Sequence, residues 1–162
     1  MIVLVLGGTR SGKSEVAERI AGDLSSTVVY VATANVADDG DFAARVARHQ
    51  ARRPDTWTTV ETDDLPATLG AISGVALVDS IGTWIAGAAD LEADVNGLCR
   101  ACLERDGDTV LVAEEVGLSI HAPTEVGRRF VDAIGECNRR VADVADRVLL
   151  VVAGRTLELE AG

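Results

Sequence analysis

Eight consecutive residues, Gly7-Gly8-Thr9-Arg10-Ser11-Gly12-Lys13-Ser14, have the types and spacing to hold a polyphosphate. They read Gly-x-x-x-x-Gly-Lys-Ser and sit between an apolar run, Ile2 to Leu6, and a helix-like segment, Glu15 to Leu24. That is the order a phosphate loop needs: buried strand, tight turn, helix start. Gly7 and Gly12 let backbone wrap closely around an anion, and the N–H groups of the turn and the positive end of the helix favour phosphate. Lys13 can reach the β- and γ-phosphates, and the Ser14 hydroxyl suits a Mg²⁺ ligand. Lys13 is the only lysine in the chain, all other basic residues being arginine. A compact ammonium kept at one place only fits a point-charge task on phosphate. The expected ligand is a nucleoside triphosphate.

A second cluster lies between Asp41 and Arg53, where Phe42, Val46, His49 and Arg53 recur at helical spacing and Arg45, Arg48 and Arg52 fall within a turn of His49. Spacing alone allows two readings. One is a solvated helix whose arginines pair with the acids at Asp38 to Asp41. The other is a phosphate-handling helix whose histidine, with an ordinary pKa of about 6.5, works near neutral pH. Acids close three of the apolar runs or follow them: Glu61, Asp79 after Val75 to Val78, and Glu114-Glu115 after Thr109 to Ala113. An acid at a strand tip is a common metal or metal-water ligand in phosphate-loop enzymes, and spacing leaves Asp79 and Glu114/Glu115 both open for that task. His121, alone in a loop, reads as solvent-facing. Cys99 and Cys102 form one Cys-x-x-Cys without a second pair and read as small residues on one helix face.

Composition narrows the class of protein. The chain has 162 residues, 48% hydrophobic but only 3% aromatic, as expected for a Val/Ala/Leu/Ile core built on buried parallel strands. A net charge of −11 argues against nucleic acid or an anionic membrane as partner. The apolar N-terminal run stops at Gly7, too short for a signal peptide or a membrane span, and three cysteines fit a reducing cytoplasm.

These residues must be positioned by alternating elements. Strands are expected at Ile2–Leu6, Val28–Ala32, Thr56–Val60, Val75–Val78, Thr109–Ala113 and Arg147–Val152, with an edge strand at Thr156–Leu159. Helices are expected at Glu15–Leu24, Asp41–Arg53, Asp64–Ile72, Leu91–Glu104 and Glu125–Ala145, the last with Val126, Phe130, Ala133, Ile134, Cys137, Val141 and Val144 inward. The Gly- and Ala-rich stretch Ser80 to Asp90 reads as a mobile loop anchored by Trp84. The expectation is one α/β domain, residues 1–162, with a mostly parallel sheet whose strand C-termini face the ligand.

Taken together, Gly7 to Ser14, Tyr30-Val31-Ala32-Thr33, Ala43 to His49, Arg53-Pro54, Glu114-Glu115-Val116-Gly117 and Asp146 to Gly154 resemble the bifunctional adenosylcobinamide kinase/adenosylcobinamide-phosphate guanylyltransferase family of cobalamin biosynthesis. The resemblance covers nearly the whole chain. It implies a RecA-like P-loop NTPase fold, a three-layer sandwich, assembled as a homotrimer. It implies two reactions: phosphorylation of adenosylcobinamide from ATP or GTP, then transfer of GMP from GTP to adenosylcobinamide phosphate through a GMP–histidine intermediate. On that resemblance His49 and Lys13 are catalytic. Gly7 to Ser14, Ala32, Thr33, Ala34, Gln50, Ala51, Arg52, Arg53, Glu61 and Asp79 contact nucleotide, and Ser14 with Asp79 serves Mg²⁺. A guanylyltransferase without kinase activity and an unrelated small-molecule P-loop kinase are the other readings.

Overall fold

The computed structural model describes residues 1–33, 54–118 and 122–162. Among these residues seven strands form one sheet: β1 (Ile2–Gly7), β2 (Val28–Ala32), β3 (Thr58–Glu61), β4 (Val75–Asp79), β5 (Thr109–Glu114), β6 (Arg147–Val152) and β7 (Arg155–Leu159). Their order is β3-β2-β4-β5-β1-β6-β7. All pairings are parallel except β6 with β7. The strands form from β-branched and aliphatic runs, and β1 is buried along all six of its residues.

Alternation of side chains splits each central strand between two cores. Ile2, Leu4, Leu6, Ala76, Val78, Leu111 and Ala113 face one, which is covered by α2 (Leu65–Ala71), α3 (Ile81–Gly87), α4 (Val95–Glu104) and α5 (Glu125–Ala142). Val3, Val5, Leu77, Val110 and Val112 face the other, where Val16, Ala17 and Ala21 of α1 (Lys13–Leu24) close over them. The result is the three-layer α/β sandwich with a mostly parallel sheet that the sequence led us to expect.

Several boundaries differ, and the largest difference concerns Ser80 to Asp90. That stretch is not a mobile loop: Ile81–Gly87 is a helix, followed by a 3₁₀ turn at Ala89–Leu91. Ser80 caps the helix reciprocally with Thr83, and Ile81, Gly82, Trp84 and Ile85 are buried. Tertiary burial and a cap outweigh the low helix propensity of Gly82 and Thr83. Trp84 does anchor the segment, donating its indole N–H to the Asp63 carbonyl at 3.2 Å. Helix α4 starts at Val95 rather than Leu91, because Asp94 caps it through the Gly97 N–H. Helix α5 stops at Ala142, and its Val126 points outward, 66% exposed, while Ile134, Cys137 and Val141 are buried as expected. The helix expected at residues 41–53 lies outside the described residues.

Candidate active site

The parallel strands all end on one edge of the sheet, so the register decides which tips are neighbours. Glu61 pairs with Ala32, Ala32 with Asp79, and Gly7 with Glu114. Strand β5 therefore stands between the phosphate loop and the strand that carries Asp79, which puts Glu114 nearer to Lys13 in strand order.

The loop itself has the expected shape. Arg10 and Gly12 both take positive φ, at 59° and 92°, turning successive N–H groups toward one concavity. A side chain at Gly7 would collide with the Ser11 hydroxyl and with the Val151 carbonyl, so this position needs glycine for space. The turn between β6 and β7 braces the loop from outside, since the Gly154 N–H donates to the Ser11 carbonyl at 2.7 Å. Helices α2, α3, α4 and α5 each have a side-chain oxygen on their first N–H groups; α1, which begins at Lys13, has no side-chain cap. Its N–H groups and dipole are the natural partners of a phosphate.

Around Lys13 the tips carry a connected set of polar groups. The Lys13 ammonium lies 3.6 Å from Oε1 of Glu114, an ion pair longer than a hydrogen bond. The other oxygen, Oε2, accepts from the Ser80 hydroxyl at 3.1 Å and from the Gly82 N–H at 3.0 Å. Backbone fixes the same residue: Asn138 of α5 donates to the Glu114 carbonyl at 3.0 Å, and the next N–H, of Glu115, bonds the Gly7 carbonyl at 3.1 Å. Asp79, half-buried, accepts from the Tyr30 hydroxyl at 2.8 Å. The buried Thr33 hydroxyl donates to the Ser80 carbonyl at 2.6 Å, which ties the tip of β2 to that of β4.

Of the residues expected to form the site, Gly7 to Ser14, Ala32, Thr33, Glu61 and Asp79 all lie on this edge. Glu61, exposed on β3, stands furthest from the loop in strand order. Ala34, His49, Gln50, Ala51, Arg52 and Arg53 lie outside the described residues, as does His121. Sequence reasoning missed Ser80, Thr83 and Asn138 as supports of Glu114. A serine three residues before Thr83 was the available sign, a capping pattern in which threonine replaces the usual Glu or Gln. Oε1 of Glu115 accepts the Gly117 N–H at 2.8 Å, whereas the carboxylate of Glu114 faces Lys13.

The pattern that defines the CobU family, described as cobinamide kinase / cobinamide phosphate guanyltransferase, matches residues 3–159. The chain belongs to that family. It is 36% identical over 167 residues to the bifunctional adenosylcobalamin biosynthesis protein CobP of Pseudomonas aeruginosa, covering 97% of this chain and 96% of the relative. It is 35% identical over 177 residues to the corresponding CobU protein of Escherichia coli, covering 95% and 97%. Among solved structures, the fold matches the P4 protein of bacteriophage phi6 in complex with ADP (TM-score 0.50, 16% identity, 96% of this chain and 53% of that one). It also matches a prototypical ATPase of a type III secretion system of pathogenic bacteria (TM-score 0.56, 12% identity, 97% and 56%). These two share the fold, a RecA-like P-loop sandwich. A member of the cobinamide kinase family is an enzyme of phosphoryl and nucleotidyl transfer.

The remaining candidate chemistry sits elsewhere. Cys102 and Cys137 are buried, and burial pushes each thiol up to about 12. Cys99 is also raised by burial, and it donates to the Arg140 carbonyl at 3.6 Å. Thiols held protonated in this way are packing groups. No helix among the described residues is long and apolar enough to cross a membrane.

Proposed function

We propose that the chain phosphorylates the hydroxyl of the aminopropanol arm of adenosylcobinamide and then transfers GMP from GTP to adenosylcobinamide phosphate, releasing pyrophosphate, through a GMP–histidine intermediate on His49. The observation that carries this reading is the uncapped start of α1 behind the phosphate loop, with Lys13 at its first position, in a chain of the cobinamide kinase family. ATP or GTP supplies the first step. The loop amides and Lys13 hold the triphosphate, and the neutral imidazole attacks the α-phosphorus, dividing nucleotidyl transfer into two displacements. Arg45, Arg48, Arg52 and Arg53 offset the phosphate charge.

Ser14 and Asp79 are the residues that would hold Mg²⁺, which neutralises charge on the β- and γ-phosphates when bound. The donor set fits such an ion: a hydroxyl in the first turn of α1 and one carboxylate held by Tyr30. Among the described residues no group of three or more His, Cys, Asp or Glu could cage a metal alone, which suits a cation that keeps waters and substrate phosphates as ligands. The enzyme works in the cytoplasm as a homotrimer.

Incubation with GTP labelled at the α-phosphate and Mg²⁺, then denaturation and peptide mapping, tests this. Acid-labile, base-stable label is expected on the peptide carrying His49 and none in His49→Ala. Clear GTP binding without covalent label would overturn the guanylyl transfer and leave a small-molecule P-loop kinase.

A further inference from the structure

The carboxylate of Glu114 is built into the phosphate site with unusual care for a residue whose family role spacing left open. Its Oε2 is held by two donors from different groups, the Ser80 hydroxyl and the Gly82 N–H. A side chain at Gly82 would overlap that oxygen, so the buried glycine reserves the room in which the carboxylate lies. Asn138 fixes the backbone behind it. The other oxygen, Oε1, faces the Lys13 ammonium at 3.6 Å, in a side chain that is 25% exposed. Lys13 marks where the β- and γ-phosphates go. An anion beside the γ-phosphate is unfavourable for binding, and so many supports for an unfavourable charge call for a task in turnover.

We propose that Oε1 of Glu114 orients the acceptor hydroxyl in the phosphorylation step and takes its proton, and that Glu114 has no part in guanylyl transfer. The inference rests on the two-reaction reading above. In the first reaction the hydroxyl oxygen attacks the γ-phosphorus. A new P–O bond forms as the bond from the γ-phosphorus to the β–γ bridging oxygen breaks, and the nucleoside diphosphate leaves with that electron pair. The hydroxyl proton passes to Oε1. In the second reaction the attacking atoms are an imidazole nitrogen with a free lone pair and then an oxygen of a phosphate monoester, already anionic. Neither must lose a proton to a carboxylate. One side chain should therefore separate the two activities although both use the same phosphate loop.

The test is E114Q, which keeps the shape and an acceptor oxygen but not the basicity, assayed on adenosylcobinamide and, separately, on supplied adenosylcobinamide phosphate. The kinase kcat should fall by about 10²–10⁴-fold, the range for loss of a positioned general base, with KM for the corrinoid changed much less. Guanylyl transfer should stay within about threefold of wild type, and GTP should bind at least as tightly because a like charge has gone. E114D, which keeps the base but withdraws it by one methylene, should give an intermediate kinase rate and decides the matter if the glutamine variant does not fold. A wild-type enzyme that phosphorylates adenosylcobinamide with E114Q unimpaired would overturn the inference alone, as would equal losses in both reactions. A wild-type enzyme that labels His49 but never phosphorylates adenosylcobinamide would overturn the kinase half of the proposed function, and this inference with it.

Discussion

The two edges of the sheet use charged side chains in opposite ways. At the amino edge Arg105 reaches from the end of α4 and donates to the carbonyls of Leu69, Ile72, Gly74 and Asp108 and to the Thr109 hydroxyl, at 2.7 to 3.4 Å. Asp146 accepts the Ile2 N–H at 2.6 Å, and the Met1 ammonium meets Asp108 at 2.7 Å. Burial lowers the Arg105 pKa, the cost of taking a guanidinium out of water, and the fork of five donors answers that cost with neutral oxygens. At the carboxyl edge Lys13 has a long ion pair, 3.6 Å from Oε1 of Glu114, while the other Glu114 oxygen is held by Ser80 and Gly82. One edge spends its donors on the chain's own carbonyls; at the other, on the proposed function, Lys13 is held for a phosphate. Stability and binding should accordingly respond to different basic side chains, Arg105 for the one and Lys13 for the other.

Lys13→Ala is the largest break. Triphosphate binding should weaken on the order of 10²–10³-fold, about 3–4 kcal/mol, since several charge-assisted contacts go at once. Both reactions should fail at ordinary nucleotide concentrations. Melting of the free protein should hardly move, because a long, partly exposed ion pair contributes about 1 kcal/mol or less. Titration calorimetry with GTP and thermal melts check the two halves, and unchanged GTP affinity would contradict the site.

Arg105→Ala should do the reverse. Four carbonyls and a hydroxyl lose their donor at the meeting of α2, α4, β4 and β5, for an expected loss of about 2–3 kcal/mol. A melting temperature lower by about 5–12 °C follows for a chain of this size. Measured well below that temperature, KM and kcat should match wild type. A variant with wild-type stability, or with intact stability and poor kinetics, would erase the contrast between the edges.

How much of this was legible in the sequence follows the same division. The phosphate loop spans eight adjacent residues, so its chemistry is local and could be read directly, as could the strands that are aliphatic on both faces. Glu114 could be named as a strand-tip acid but not ranked against Asp79, because the ranking depends on β5 lying between β1 and β4. The contact of Gly82 with Glu114 spans 32 residues, and that of Asn138 spans 24. Composition pointed the wrong way at Ser80 to Asp90: glycine there suggested a loop, whereas Gly82 is small so that a carboxylate can lie against a helix. Arg105 left no sequence sign, since its partners are carbonyls that every residue possesses.

The smallest expected effect concerns the cysteines, which extend the comparison to side chains that belong to neither edge. Cys102 and Cys137 pack in the core on the α4–α5 side, and burial raises both thiols from 9.0 to about 12. At pH 8 their thiolate fraction is then on the order of 10³-fold below that of an ordinary thiol, and alkylation proceeds only through the thiolate. Native protein treated with iodoacetamide at pH 8 should leave both unmodified over hours while the urea-unfolded chain reacts fully, with activity unchanged in the native sample. The sign of the linkage is fixed by the same shift. Thiols raised in the folded state contribute stability that is complete below pH 9 and is lost as pH rises toward 12, because the unfolded chain gives up protons the folded one retains. Urea midpoints should therefore be flat from pH 7 to 8.5 and fall above pH 9, less steeply in a Cys102→Ala variant. Fast native alkylation of Cys102 would mean that the Cys99–Cys102 pair is a reactive centre rather than part of the packing.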